Sequence, residues 1–148
     1  MQLRTYMLLA ICAFLVATTG GDLSARTTIA GNTFGQAFTA HIQWASSTFI
    51  GVLLLFLPFA GVAYIAFNLQ KLGKIFDVFA IFLLSVTILV YFYFRGFSGS
   101  QLALVEGKWT ASALEIGLLP FFVGIPLLLV MQVGGRIILR LINRLENG

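Results

Sequence analysis

The stretch FIGVLLLFLPFAGVAYIAFNLQKLGKIFDVFAIFLLSVTILVYFYF, residues 49–94, decides the fold. It holds two apolar runs, 49–69 and 75–94, of 21 and 20 residues, and Asp77 is the only charge in either. At ~1.5 Å of rise per residue, each run as a helix matches the ~30 Å hydrocarbon layer of a bilayer. Strands are excluded, because lipid offers an open sheet no partners for its bare N–H and C=O groups. The connection 70–74 is too short for anything but a hairpin, so the two helices are antiparallel neighbours.

Working outward, 113–133 is a third run of the same kind, and 5–21 is a fourth, shorter one. The 148 residues are 59% hydrophobic and 9% charged, with mean hydropathy +1.00, against roughly 45–50% and 25% in soluble domains. The expected fold is therefore an all-α integral membrane protein, a bundle of four transmembrane helices in a single membrane domain. The first run has a second reading. Arg4, the apolar core 6–17 and the following ThrThrGlyGly also fit a secretory signal, but no Ala-x-Ala precedes Asp22, which favours a retained helix.

Charge sets the expected orientation, since basic residues stay on the cytoplasmic side. With the amino terminus inside, six of them (Arg4, Lys71, Lys74, Arg136, Arg140, Arg144) lie inside and three (Arg26, Arg95, Lys108) outside. Trp44, Trp109, Tyr91 and Tyr93 then gather at the outer interface as an aromatic belt. Both termini are expected in the cytoplasm and the protein in the cell membrane. The net charge of +4 is spread over helix ends and makes no basic face, which argues against nucleic acid. Two outer segments, 22–48 and 95–112, are expected as loops, the first capping the bundle as short helix and turn.

The acidic residues are the first candidates for chemistry. Glu115 follows Ser112 by three and heads an apolar run, the Ser-x-x-Glu pattern of a capping box. Asp77 follows Lys74 by three, which suits an ion pair or the positive end of a helix dipole. Acids at membrane depth also mark ion paths, so Asp77 and Glu115 together are the candidate polar path. Only Asn68, Ser85, Thr87 and Gln132 lie between them in the spans, a thin ladder for a proton. Pro58, Pro120 and Pro126 each remove a helix hydrogen bond, and the last two predict a kinked fourth helix.

His41 is the only histidine and the outer-face candidate, with Asp22, Glu106 and Glu115 as possible partners. No GxSxG, HExxH or paired-cysteine spacing accompanies it, so an enzyme is disfavoured and no catalytic residue is assigned. One histidine and the lone Cys12 cannot supply the three or four ligands of a metal, and GNTFG at 31–35 lacks the Lys-Ser/Thr of a phosphate loop, so no metal and no cofactor are expected.

The carboxyl terminus places Arg136, Arg140 and Arg144 on one helical face and Ile138, Leu141, Ile142 and Leu145 on another. A basic amphipathic interfacial helix over 134–146 is expected, its arginines binding anionic lipid at the inner face or a partner. The functional expectation is a small multi-pass accessory or structural subunit that binds other membrane components through helix faces and loops. The alternative is a self-associating channel or small carrier lined by the kinked fourth helix.

Overall fold

A computed structural model describes the backbone of residues 1–147 and the side chains of residues 1–145. It is all-helical, with no strand among the described residues, and four helical stretches are long and apolar enough to cross a membrane. In chain order these are α1 (Leu3–Thr28), α3 (Phe49–Leu69), α4 (Ile75–Val105) and a fourth path made of α5 (Trp109–Gly117), a π-helical turn (Pro120–Gly124) and α6 (Ile125–Asn147). The shorter α2 (Phe34–Ser47) lies between α1 and α3.

The segment 22–48 holds a short helix and turn, as expected, but its first residues continue α1, and 95–105 continues α4, which corrects the expectation of a loop at 95–112. α1 runs to Thr28 through a π turn at Val16–Gly20, supported by the Asp22–Arg26 pair and by Thr27 and Thr28 hydroxyls donating to carbonyls of the preceding turn. The turn that follows needs Gly31 at φ +69°. Thr33 then opens α2 with a true capping box, accepting from the Gln36 N–H while the Gln36 side chain accepts from the Thr33 N–H. α4 has 31 residues, because Gly96 and Gly99 do not end it. They are where Leu119 and Glu115 press against its backbone. It stops at Gly107, φ +76°, where the Lys108 N–H bonds the Ala103 carbonyl at 2.8 Å, a left-handed glycine cap.

The four spans run up, down, up, down, with α3 and α4 as the central pair. α1 covers one flank and the fourth path the other. The amino terminus, the hairpin and α6 meet at one end of the bundle. There the Met1 ammonium bonds Gln70 Oε1, Gln70 Nε2 donates to the Met1 carbonyl at 3.0 Å, and Asn143 Nδ2 donates to the Leu72 carbonyl at 2.8 Å. α2, α5 and the far end of α4 occupy the opposite end, called here the loop end.

The core follows helical spacing: Tyr6, Ala10, Phe14 and Ala17 from α1; Leu55, Phe59, Val62, Ala66 and Leu69 from α3; Val78, Phe82, Leu89, Tyr93 and Phe97 from α4. Edge-to-face aromatic pairs link Tyr6 to Phe82, Phe14 to Phe59, and Phe59 to Tyr93. α3 passes through Pro58 without a break. The proline leaves the Leu54 carbonyl without its helical donor, and one residue further on the Tyr93 hydroxyl donates to the Leu55 carbonyl at 2.6 Å. Along the parallel seam of α3 and the hairpin with the fourth path, small residues alternate with large ones: Gly124 against Pro58, Gly61 against Leu128, Gly135 against Leu69, Gly73 against Leu139.

The residues expected as a separate interfacial helix, 134–146, belong to the continuous helix α6. Gly134 and Gly135 do not interrupt it, because Gly135 receives Leu69 and the next turn buries Leu139 on the hairpin. Outward, large apolar side chains stand exposed on every span, among them Leu8, Leu57, Phe76, Leu84, Phe122 and Leu129. Water would make that surface costly, whereas lipid tails match it, so the chain reads as a multi-pass membrane protein.

Candidate functional site

Most of the buried polar residues (Asp22, His41, Ser100, Gln101, Ser112) gather at the loop end, and Asp22 is their centre. It lies one turn beyond the π turn of α1 and is 1% exposed. Its Oδ2 accepts from Arg26 Nε at 2.9 Å and lies 2.9 Å from His41 Nδ1 on α2. The other ring nitrogen, Nε2, is 3.2 Å from the Thr19 hydroxyl, which the π turn presents. A carboxylate only accepts, so a singly protonated ring donates from Nδ1 and accepts the hydrogen bond of the Thr19 hydroxyl at Nε2. His41 also stacks at a tilt on Trp44, whose indole meets Phe97 of α4 edge-on. Of the three partners open to His41 in the sequence, Asp22 is the one used; Glu106 instead accepts from Lys108 at 2.7 Å.

Asp22, His41 and Thr19 stand in the order of a hydrolytic relay, carboxylate to imidazole to hydroxyl. The adjacent Arg26 pairs with the same carboxylate, and the cavity beside the group is lined by Asp22 and Arg26 rather than by His41 or Thr19. The arrangement is a clamp that ties α2 to α1 through the bonds of His41 to Asp22 and Thr19.

Beside the clamp is a cavity of about 410 Å³. Its wall runs from Asp22 and Arg26 past Trp44, Gly51 and Leu55 to Ser100, Gln101, Ser112 and Pro120. It is the gap between the first turns of α3 and α5: below it Gly124 touches Pro58, and above it α5 leaves α3 and packs on α4. The buried Ser100 and Ser112 hydroxyls bond each other at 2.7 Å across the α4–α5 contact.

That bond corrects the capping reading of Ser112 and Glu115. α5 begins at Trp109 with Lys108 as its N-cap, so Ser112 is inside the helix and its hydroxyl turns to α4. Glu115 is exposed, its carboxylate lying over Gly99, and it borders a shallow recess of about 400 Å³ with Ala111, Leu114, Leu118, Phe122 and Val123. No ion pair reaches it among the described residues.

Asp77 is half-buried in the first turn of α4, at the hairpin end, with no ion pair to Lys74 among the described residues. The structure therefore does not bring Asp77 and Glu115 together: they lie toward opposite ends of the bundle. Arg136 and Arg140 line a third hollow, about 750 Å³, with Lys71, Asn68, Gln132 and Tyr64 at the hairpin end, and Arg144 is exposed one turn further on.

Sequence reasoning missed Arg26, Gln101, Ser100 and Thr33. DLSAR at 22–26 has the i, i+4 spacing of a helical ion pair and TFGQ at 33–36 that of a capping box, and both signals were legible. No protein-family model, curated protein or solved structure matches this chain.

Proposed function

We propose that this chain is a small accessory subunit of a membrane assembly, with no catalysis of its own, and that the fourth helical path carries its docking face. One observation supports this above the rest: Glu115 is exposed and unpaired among the described residues, on a recess whose other residues are apolar. An acid near membrane depth is costly unless a cation or another protein covers it. Ala111, Leu114, Leu118 and Phe122 recur at helical spacing beside it, and the break at Leu118 makes that stripe concave. A partner's transmembrane helix bearing a Lys or Arg fits such a face. A self-assembled channel would bring the same face to its axis, but Glu115 alone among apolar residues gives water little to follow.

The charge pattern supports a cytoplasmic hairpin end, and with it cytoplasmic termini and the cell membrane as location. Arg4, Lys71, Lys74, Arg136, Arg140 and Arg144 all belong to that end. The hollow framed by Lys71, Arg136 and Arg140 suits the head of an anionic lipid in that leaflet, with Asn68 and Gln132 as additional donors.

The test is the mass and composition of the particle extracted from native membranes in polymer discs. A fixed-ratio complex with other polypeptides is expected, and Glu115→Gln should lower partner retention. A homogeneous particle of this chain alone would overturn the accessory reading in favour of self-assembly.

A further inference from the structure

The cavity at the loop end has no role in the docking face, which lies on the far side of α5, and none in the Asp22–His41–Thr19 clamp beyond sharing Asp22. We propose that it is a binding site for an uncharged amphiphile whose head carries carbonyl oxygens and whose tail is apolar.

Three features of the wall select that class. Its charge is balanced, because the Arg26 guanidinium is matched by Asp22, so an anionic head would find no spare cation. Setting aside hydroxyls, which can do either, its unpaired groups are mostly donors. Arg26 uses only Nε, and its terminal nitrogens, like the indole N–H groups of Trp44 and Trp109, have no protein acceptor among the described residues. Gln101 is the decisive residue: it is 5% exposed, lines the cavity, and its amide has no hydrogen-bond partner among the described residues. Its Nε2 donors are open to the cavity, where a ligand's carbonyl oxygen would accept from them. Much of the remaining wall is apolar, with Leu54, Leu55, Phe97, Leu104 and Ile116, which suits the tail.

The cavity is also kept open by residue choice. Gly117 and Gly51 line it; a Cβ on Gly117 meets nothing within 4 Å, and one on Gly51 meets only Thr48 at 3.8 Å. Packing does not demand glycine at either place, and a larger side chain would occupy the ligand's space. At 410 Å³ the volume lies within the ~300–1,000 Å³ of small-molecule sites and admits a head with the first part of its tail.

Both tryptophans of the chain line the cavity, so their emission reports its occupancy. The full chain in phosphatidylcholine nanodiscs should be titrated with two neutral probes, a decyl-substituted benzoquinone and dioctanoylglycerol, which separate a flat ring head from an ester head. Decanoate tests an anionic head and tetradecane a tail alone. The expected result is a saturable emission change with at least one neutral probe, abolished in Gly117→Leu and at least fivefold weaker in Gln101→Leu. Should Gly117→Leu not fold, Gly51→Leu fills the same space. No saturable change with either neutral probe, equal affinity for tetradecane, tighter binding of decanoate, or unaltered affinity in the filled variant would each overturn the proposal.

Discussion

Asp22 carries two bonds on one oxygen, and that concentration makes it sensitive to a change of one atom. Asp22→Asn keeps the shape but removes the charge that both Arg26 and His41 address. The expected cost is about 1–3 kcal/mol, read as a lower SDS fraction at the unfolding midpoint in mixed micelles, with faster amide exchange in α2. The Glu106–Lys108 pair is the control. Its hydrogen bond raises the Lys108 pKa, yet both side chains are open to solvent, so Glu106→Gln should leave the midpoint unmoved. Tyr93→Phe tests the other buried bond of this kind. The Leu55 carbonyl would lose its second donor beside the proline-bearing turn, at about 0.6–2 kcal/mol, measured by the same midpoint.

At the scale of elements, the fourth path shows what a glycine is for. A Cβ on Gly124 would lie 2.5 Å from Pro58 Cγ and 2.9 Å from its Cβ, atoms of a ring that cannot rotate aside. Gly124→Ala should therefore separate α6 from α3 and cost about 1–3 kcal/mol, while Gly117→Ala in open space should be neutral or slightly stabilising. Equal midpoints for the two variants would refute this account of the seam. The four apolar spans were legible because each is a ~20-residue run with a single solvent that suits it. Their extensions were not. SerGlySerGln at 98–101 and GlyAspLeuSer at 21–24 look like loop, and only contacts from other helices, Leu119 on Gly96 and His41 on Asp22, show why they stay helical. Glu115 erred for the opposite reason: a local pattern fitted a cap, and the helix had already begun at Trp109. Gln101 was unreadable in principle, since its significance is a missing partner that only three-dimensional placement reveals.

For the whole molecule, the decisive feature is the division of charge between its ends. The loop end neutralises its buried acid within itself, through Arg26, whereas the hairpin end leaves Lys71, Arg136 and Arg140 around one hollow of about 750 Å³. A positive hollow at a membrane surface attracts anionic lipid at about 1 kcal/mol per basic residue, which is roughly fivefold in affinity each. Arg136→Gln with Arg140→Gln should then lower retention of phosphatidylglycerol over phosphatidylcholine by roughly thirtyfold, measured by mass spectrometry of the protein with its bound lipid. Arg144→Gln should act less, because Arg144 lies on the same helix but outside the hollow. If Arg144→Gln matched the Arg136→Gln variant, the effect would belong to a diffuse basic helix and the hollow would carry no selectivity. Raising salt separates the two further, since a surface charge is screened over ~10 Å at 0.1 M while a head held between three cations and two amides keeps its hydrogen bonds.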